Sequence, residues 1–235
     1  SDVYKRQGPK DIRLNDTKIS QKELIGTLNT VIFCPEDLQL IKGTPSGRRR
    51  FLDMEISQTS ATYYHQLMQY NRLLQQRNAV LKEYRGKNTI PLEEWDLQLA
   101  DMASFIVKKR LESLKKINLL IDLMNRKLTG GLENLTIGYE QPYMDNGSLE
   151  YTKEGFYERI KAALPQDRHR LSTSVGPHRD DLRFFSDAMD LKKFGSQGQQ
   201  RTAVLSLKLS ELEFIKSEVG EYPVLLLDDV LSELD

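Results

Sequence analysis

Near its end the chain carries a short apolar segment that runs directly into two carboxylates, Val224-Leu-Leu-Leu-Asp228-Asp229. Four consecutive apolar residues before a polar turn are typical of a buried strand in a parallel sheet. Because ligands bind outside the carboxyl ends of such strands, the two acids lie where a ligand is expected. Paired aspartates there suit the holding of Mg²⁺ on a nucleotide and the orientation of an attacking water. The simpler alternative is a core strand that enters a polar turn. This segment alone does not distinguish that alternative from a site for Mg²⁺ and a nucleotide.

Composition limits the kinds of partner and compartment. The 235 residues contain 34 Lys and Arg and 34 Asp and Glu, so the formal net charge is zero. Contact with DNA would therefore require a local basic patch or a groove between subunits. Cys34 is the single cysteine, which excludes an internal disulfide and favours a reducing compartment. The sequence has no apolar run of about 18 residues and no amino-terminal signal, so we expect a cytoplasmic protein without a membrane partner.

Hydrophobic periodicity predicts a sheet-bearing domain that is interrupted by helices. Between about residues 48 and 130, apolar residues recur at spacings of three and four, with a break at 86–91. Two long amphipathic helices joined by this short loop predict an antiparallel hairpin, which we expect to project as an arm. Further helices are predicted at 153–163, on the surface, and at 198–218. Segments of strand character are 11–15, 30–34, 135–139, 171–175, 182–185 and 224–227.

The pattern divides the chain into three parts. Residues 1–46 are predicted to form part of a head domain, although residues 1–7 fit no neighbouring element and are treated as a candidate non-native segment. Residues 47–130 are predicted to form the helical arm. Residues 131–235 are predicted to form the carboxyl-terminal half of the head, because strand-type segments return after the paired glycines at 130 and 131.

A second motif lies one helix upstream of the acidic strand. Ser196-Gln-Gly-Gln-Gln-Arg201 has the small, polar, glycine-containing character of a helix start whose backbone N–H groups can donate to phosphate. After the strand comes Ser232-Glu-Leu-Asp235. A signature loop, a helix, an acidic strand and a Ser-x-Leu-Asp turn follow one another in this order in ATP-binding-cassette (ABC) ATPases. Together the motifs predict half of an ATP site.

Four blocks of the sequence resemble the RecF family of bacterial recombinational-repair ATPases, in the same order and across residues 8–235. They are Phe33-Cys-Pro-Glu-Asp-Leu-Gln-Leu-Ile-Lys-Gly43 with Arg48-Arg-Arg-Phe-Leu-Asp53, then Gly176-Pro-His-Arg-Asp-Asp-Leu182, the signature loop, and the acidic strand with its turn. The resemblance implies an α/β fold, an incomplete ABC-type ATPase head (P-loop NTPase fold) with an inserted α-helical hairpin arm. It also implies ATP and Mg²⁺ as cofactors, ATP-dependent homodimerisation, binding to double-stranded or gapped DNA, and cooperation with RecR in loading RecA at single-strand gaps.

The resemblance implies roles for individual residues in these blocks. Asp228 is similar to the Mg²⁺-linked acid, and Asp229 stands where most cassette ATPases place a catalytic Glu. Since Asp is one methylene shorter, we expect slow hydrolysis, as in a timing switch. The signature residues that would contact the γ-phosphate bound by the opposite subunit are Ser196, Gly198 and Gln199. The D-loop residues that would cross the dimer interface are Ser232 and Asp235.

Two basic clusters are candidate contacts to the phosphates of DNA or of a nucleotide. They are Arg48, Arg49 and Arg50, and Lys108, Lys109 and Arg110. For the first cluster the alternative is a capped helix start with a solvated basic turn. For the second it is the solvated outer face of the arm. Phosphate contacts from either cluster would give salt-sensitive, sequence-independent binding.

Three local features argue against particular kinds of chemistry in this chain. Cassette ATPases of the chromosome-maintenance type have a Gln-bearing loop near Pro35-Glu36-Asp37, and the lack of Gln there argues against a direct metal contact. His178 has no second ligand at the spacing that zinc needs, so its block is predicted to be a polar turn with locally paired charges. No G-x-x-x-x-G-K-[ST] loop occurs, so we expect this chain to be inactive as an ATPase by itself.

Two other functions stay open on the sequence. One is a different chromosome-maintenance ATPase with a short arm, which predicts a longer heptad run and does not explain the block at 176–181. The other is a non-enzymatic helical interaction module with a vestigial ATP half-site. The presence of Ser196, Gly198, Asp228 and Asp229 argues against such decay.

Overall fold

The computed structural model describes residues 11–87, 89–143 and 151–228, apart from the side chains of residues 21 and 22. It begins with a small antiparallel hairpin of strands β1 (Ile12–Leu14) and β2 (Thr17–Ile19). Asn15 and Asp16 form the turn with positive φ, a backbone region that short polar residues tolerate better than most. The short helix α1 (Gln21–Leu24) follows.

A parallel pair of strands carries the acidic end of the chain. Strand β3 (Thr30–Phe33) pairs with β7 (Val224–Leu227), and Phe33 lies opposite Leu227. The prediction that the apolar segment is a strand is confirmed, whereas the prediction that it is buried is not met among the residues that the structure describes. The four side chains of β7 are 44–64% exposed, since β3 is the strand that pairs with β7 within the described residues.

A second, antiparallel sheet has the order β4 (Leu135–Glu140), β5 (Asp181–Ser186) and β6 (Met189–Asp190). Leu135 lies opposite Ser186. The remaining helices of this half are α6 (Lys153–Ala162), α7 (Leu164–Arg170), α8 (Leu191–Phe194) and α9 (Gln197–Val219). The two-residue turn between β5 and β6 has positive φ at both positions, as tight hairpin turns require.

The predicted strand at 171–175 is absent, and these residues form a loop. Leu171 ends α7 with a φ of 53°, which interrupts an extended run. The backbone N–H groups of Thr173 and Ser174 donate to the side chains of Asn78 and Asp167. Side chains thus supply the hydrogen bonds that a neighbouring strand would supply, and composition does not distinguish the two cases.

Three longer helices follow the first parallel strand. After β3 come a 3₁₀ turn (Pro35–Leu38) and the short helix α2 (Gln39–Lys42). The longer helices are α3 (Pro45–Thr59), α4 (Ala61–Glu83) and α5 (Glu93–Thr129). Helix α3 begins at Pro45, ahead of the predicted start, because proline suits the first helical position.

Helices α4 and α5 form the predicted antiparallel pair. Tyr63, near the start of α4, contacts Arg110 of α5, whereas Arg77, further along α4, contacts Asp96 near the start of α5. Helix α5 also packs against β4, α6 and α9. The pair therefore shares a hydrophobic core with the strands and does not project freely, which differs from the expectation of an outlying arm.

One hydrophobic core joins the helices to the second sheet. Its most buried members include Leu99, Ala103, Ile106, Ile117 and Ile121 of α5, Leu135 and Ile137 of β4, Phe156 and Ile160 of α6, and Leu207 and Phe214 of α9. Helix α6 is thus a core element on one face, although it was predicted at the surface. The domain boundaries at 46 and 130 remain predictions, since the core extends across both. No helix within the described ranges is long and apolar enough to cross a membrane.

Candidate functional site

The acidic strand delivers Asp228 to its carboxyl end. The backbone N–H of Asp228 donates to the carbonyl of Phe33 (2.9 Å), which continues the pairing of β7 with β3. The side chain of Asp228 is exposed and is available to a ligand. Asp229, Ser232 and Asp235 lie outside the described residues, so their predicted roles stay predictions.

The signature loop forms the capped start of α9. The Ser196 hydroxyl accepts from the backbone N–H of Gln199 (3.2 Å), and the Gln199 side chain accepts from the backbone N–H of Ser196 (3.0 Å). This reciprocal pair is a capping box. The Gln199 amide also donates to Glu133 (2.9 Å), whose second oxygen accepts from Ser186 of β5 (2.8 Å). The loop is therefore held against the second sheet.

Gly198 faces outward at this helix start. A Cβ added there would meet only the Ser196 hydroxyl, at 3.9 Å, among the described atoms. The packing of its own chain therefore does not require glycine at this position. Glycine there leaves room for the close approach of a ligand or of another backbone.

The signature loop and Asp228 lie far apart within one chain. The ring of Phe33, which precedes Asp228 in the strand pairing, lies 5.8 Å from Nζ of Lys208. Lys208 follows Ser196 by somewhat more than three turns of α9, which is about 18 Å along the helix axis. The signature loop therefore lies about 18 Å along α9 from the residue that contacts Phe33 of the neighbouring strand β3.

The structure corrects the candidate phosphate contacts. Arg48 is 3% exposed and bonds both oxygens of Asp181 (2.8 Å each). Arg110 is 2% exposed and bonds both oxygens of Asp53 (3.0 Å each). Each guanidinium already has a carboxylate partner and is closed to solvent, so neither is available to DNA. The sequence was misleading because each arginine stands among other basic residues, a pattern that predicts exposure to solvent.

The other members of the two clusters are accessible to different degrees. Arg50 and Lys108 are exposed. Lys109 is partly exposed, with its Nζ 3.6 Å from Glu112. Arg49 is half-buried and donates to the backbone carbonyl of Asp180 (2.7 Å). Contact with phosphate stays a prediction for these four residues.

The block at 176–181 is a turn to which three helices bond. Arg110 of α5 donates to the carbonyl of Pro177 (2.7 Å), and Arg48 of α3 forms the ion pair with Asp181. Tyr70 of α4 bonds His178 (2.6 Å). The predicted polar turn is confirmed, but its acids do not pair locally as predicted, because Asp181 pairs with Arg48 and Asp180 with Arg110. Sequence spacing gave no signal for its partners, because they come from distant positions of the chain.

A buried charge cluster lies behind this turn. Arg110 is flanked by Asp53, Asp180 and the hydroxyls of Tyr63 and Tyr139. Tyr139 also donates to Asp180. Burial raises the pKa of Asp180 to about 6, and the Arg110 charge opposes this shift. The cluster has one fully buried cation between two carboxylates, an arrangement that is sensitive to the loss of any member.

The hydrogen bonds of His178 define its tautomer. Nε2 faces the carbonyl of Thr173 (3.0 Å) and must donate, so Nδ1 accepts from the Tyr70 hydroxyl. The ring is neutral near pH 7, because burial opposes its protonation. Burial lowers the pKa of His178 to about 4. Both ring nitrogens are engaged in hydrogen bonds within the fold, so neither is free to bind a metal in this arrangement.

The buried neutral state of His178 predicts a pH dependence of stability. The unfolded chain protonates this histidine below about pH 6.5, whereas the folded chain resists protonation down to about pH 4. Its contribution is therefore complete above pH 6.5 and is lost as the pH falls towards 4, by at most about 1.4 kcal/mol per pH unit. Urea unfolding of wild type and His178→Gln at pH 7 and pH 5 should show that the wild type loses more stability, or gains less, than the variant as the pH falls. An equal pH effect in both proteins would contradict the assignment.

The described residues fit the predicted cofactors by their chemistry. Mg²⁺ is commonly held by one or two protein carboxylates together with phosphate oxygens and water, and Asp228 supplies such a carboxylate. The start of α9, a 23-residue helix, supplies backbone N–H groups of the kind that bind phosphate. Across the ranges that the structure describes, no three His, Cys, Asp or Glu side chains form a metal-binding group of their own.

An α/β fold whose acidic strand follows a helix with a signature-type start defines an ABC-type ATPase head. No family model matches the chain. The chain is 49% identical over 229 residues to a protein of Alkaliphilus oremlandii, and 48% identical over 231 residues to one of Clostridium botulinum (strain Eklund 17B / Type B). Both relatives are named "DNA replication and repair protein RecF", and the matches cover 96% and 98% of this chain. The chain belongs to the RecF family.

Solved structures agree with this assignment. One, described as the recombination mediator protein RecF with ATPrS in the RecFOR pathway, has a TM-score of 0.89 and 40% identity over 99% of this chain. A second, described as RecF with ATP, matches equally well. The predicted fold class, an incomplete ABC-type head with an inserted helical hairpin, is confirmed. The chain spans 62–63% of the length of these relatives and structures.

Proposed function

We propose that the whole protein is an ATP-dependent DNA-binding protein of recombinational repair, in which two copies close on each other around bound nucleotide. The observation that carries this proposal is the rise of about 18 Å along α9 from Ser196 to Lys208, whose Nζ lies near Phe33, the residue that bonds Asp228. A complete nucleotide site needs both motifs, so the second motif must come from another copy. The same surface would then serve both partners, as in a two-fold symmetric dimer.

In this proposal the residues divide between two nucleotide sites. Asp228 holds Mg²⁺ at its own chain's nucleotide, and Asp229 orients the attacking water. Ser196, Gly198 and Gln199 contact the γ-phosphate of the partner's nucleotide, and the outward position of Gly198 supports a close approach. Ser232 and Asp235 cross the interface. When bound, ATP with Mg²⁺ supplies the phosphate charge that draws the two surfaces together.

The proposed contacts with DNA are the accessible cations of the two basic clusters. Arg50 and Lys108 are exposed, and Lys109 is partly so. With a net charge of zero, binding depends on such local contacts and on the groove between two copies. We propose that slow hydrolysis at Asp229 times release from gapped or double-stranded DNA, and that RecR acts with the dimer in the loading of RecA.

Ser196→Arg in the complete protein is the test. The large arginine side chain should abolish ATP-dependent dimerisation, because the surface formed by the signature loop can no longer approach the partner's nucleotide. Light scattering after size exclusion, with and without ATP, measures the dimer. ATP binding by the monomer should persist, since the substituted loop serves the other copy's site. Ser217→Arg, at the far end of the same helix, is the matched control and should dimerise normally. A dimer that survives Ser196→Arg contradicts the proposal.

A further inference from the structure

Four ionisable side chains meet between α3, α9 and the 3₁₀ turn, and we name them the Lys208 cluster. They are Lys208 and Glu211 of α9, Glu55 of α3, and Asp37 of the turn. Nζ of Lys208 lies 2.8 Å from Oε2 of Glu211 and 3.9 Å from Oδ1 of Asp37. The rings of Phe33 and Phe51 lie 5.8 and 6.0 Å from the same nitrogen. The cluster therefore occupies largely apolar surroundings.

Charge and hydrogen bonding in the Lys208 cluster do not balance if every acid is ionised. One ammonium faces three carboxylates. Glu55 and Glu211 are 4% and 2% exposed. Oε2 of Glu55 and Oε1 of Glu211 are buried and have no hydrogen-bond partner within the described residues. A buried ionised carboxylate without a partner is strongly unfavourable, whereas a protonated one gains an O–H donor and loses its charge.

A proton on one of the two glutamates resolves both problems. Burial raises the pKa of Glu55 to about 7, and the charge of Lys208 opposes this shift. The pKa of Glu211 is also raised, by burial first and by Glu55 second. Because the two acids interact, the proton belongs to the pair. Cys34, beside Asp37, stays a neutral thiol near pH 7, since burial and Asp37 raise its pKa.

The Lys208 cluster connects elements with different proposed tasks. Helix α9 begins with the signature loop and leads into the acidic strand. Helix α3 precedes the helical hairpin and bonds the turn at 176–181 through Arg48. The four side chains also line the wall of a cavity of about 1030 Å³, so solvent protons have access. A change of charge here acts directly on the packing of α9 against α3.

We propose that the Lys208 cluster is a proton-operated joint, which holds α9 against α3 while the glutamate pair keeps its proton and loosens when the proton leaves. The contacts, burial and charges of the four side chains carry this proposal independently of the proposed function. It predicts that the relative position of the signature helix and the hairpin responds to pH near neutrality.

Glu55→Gln and Glu211→Gln are the test variants, because each is close in shape to a protonated glutamate. In the wild type the folded glutamate pair keeps a proton that the unfolded state releases at lower pH, so the pair's contribution to stability falls as the pH rises from about 5 to about 7, opposite in sign to the contribution of His178. One proton corresponds to at most a tenfold rise of the unfolding constant per pH unit. In urea unfolding between pH 5 and 7, the unfolding constant of both variants should rise less with pH than that of the wild type.

A second measurement shows where in the fold the pH-dependent change occurs, and a control variant shows whether the change belongs to the glutamate pair. Glu36→Gln, an exposed acid of the same turn, should keep the wild-type pH slope. Hydrogen exchange, corrected for intrinsic rates, should show α3 and α9 opening more at pH 8 than at pH 6 in the wild type and not in Glu55→Gln. Protection of β4 and β5 should not differ between the two proteins. The wild-type slope in both glutamine variants, or equal pH-dependent opening in wild type and Glu55→Gln, overturns the proposal.

Discussion

Gly176→Ala should lower the free energy of unfolding by at least about 3 kcal/mol. Gly176 has φ 131° and ψ 173°, a region that is essentially restricted to glycine. A Cβ there would overlap the Tyr70 hydroxyl and lie 3.2 Å from Nδ1 of His178. Both groups are buried and bonded to each other, so neither can move without breaking that bond. Urea denaturation followed by circular dichroism measures the loss.

Gly47→Ala is the matched control for this substitution. A Cβ at Gly47 meets no described atom within 4 Å, and the residue lies inside α3. Alanine there should be neutral or stabilising by up to about 1 kcal/mol. Adding Tyr70→Phe to Gly176→Ala removes the overlapping hydroxyl and should recover part of the loss. A Gly176→Ala protein as stable as Gly47→Ala would show that the turn is not built as described.

Arg110→Met should lower the free energy of unfolding by about 3–5 kcal/mol. Methionine preserves the apolar part of the side chain but removes the cation that faces Asp53 and Asp180. The buried Asp180 and the partly buried Asp53 then lose their cation, and the Pro177 carbonyl loses its donor. This penalty comes from uncompensated charge, so it is larger than the value of the ion pairs themselves.

The neighbouring Lys109→Met is the control, since its exposed pair with Glu112 is worth less than about 0.5 kcal/mol. The pH provides a second check. Burial already raises the pKa of Asp180 to about 6 while Arg110 opposes the shift, so removing Arg110 raises that pKa further. Protonation then relieves the penalty, and the deficit of Arg110→Met should shrink as the pH falls from 7 to 5. A deficit that is small, or that grows at low pH, would contradict a charge-based role.

Local patterns predicted most of the elements. The helical spacing at 48–130 and 198–218 corresponds to α3, α4, α5 and α9, and five of the six strand-type segments are strands. The failure at 171–175 has a physical reason. Strand propensity reflects a fit to a pleated surface, and these residues obtain their hydrogen bonds from Asn78 and Asp167 instead. No local pattern reports such distant side chains.

Burial was predicted less well than element type. Apolar character predicted a buried β7, but the number of strands that pair with it decides its exposure, and that is a property of the assembled sheet. The prediction for the two basic clusters failed for the same reason, because residues that were expected to be exposed are buried. Arg48 and Arg110 resemble their exposed neighbours in sequence. They are nevertheless buried, because each pairs with carboxylates of distant segments.

The sequence by itself determined which chemical groups the chain carries and their order: a capped signature helix, an acidic strand, and the blocks that identify the RecF family. These follow from contacts between residues near in sequence, such as the Ser196–Gln199 capping box. Only the tertiary structure decided which charges are paired, which are buried, and which protons are shared. Those properties depend on groups brought together from positions as distant as Arg48 and Asp181 or Glu55 and Glu211, because the free energy of a charge depends on its surroundings.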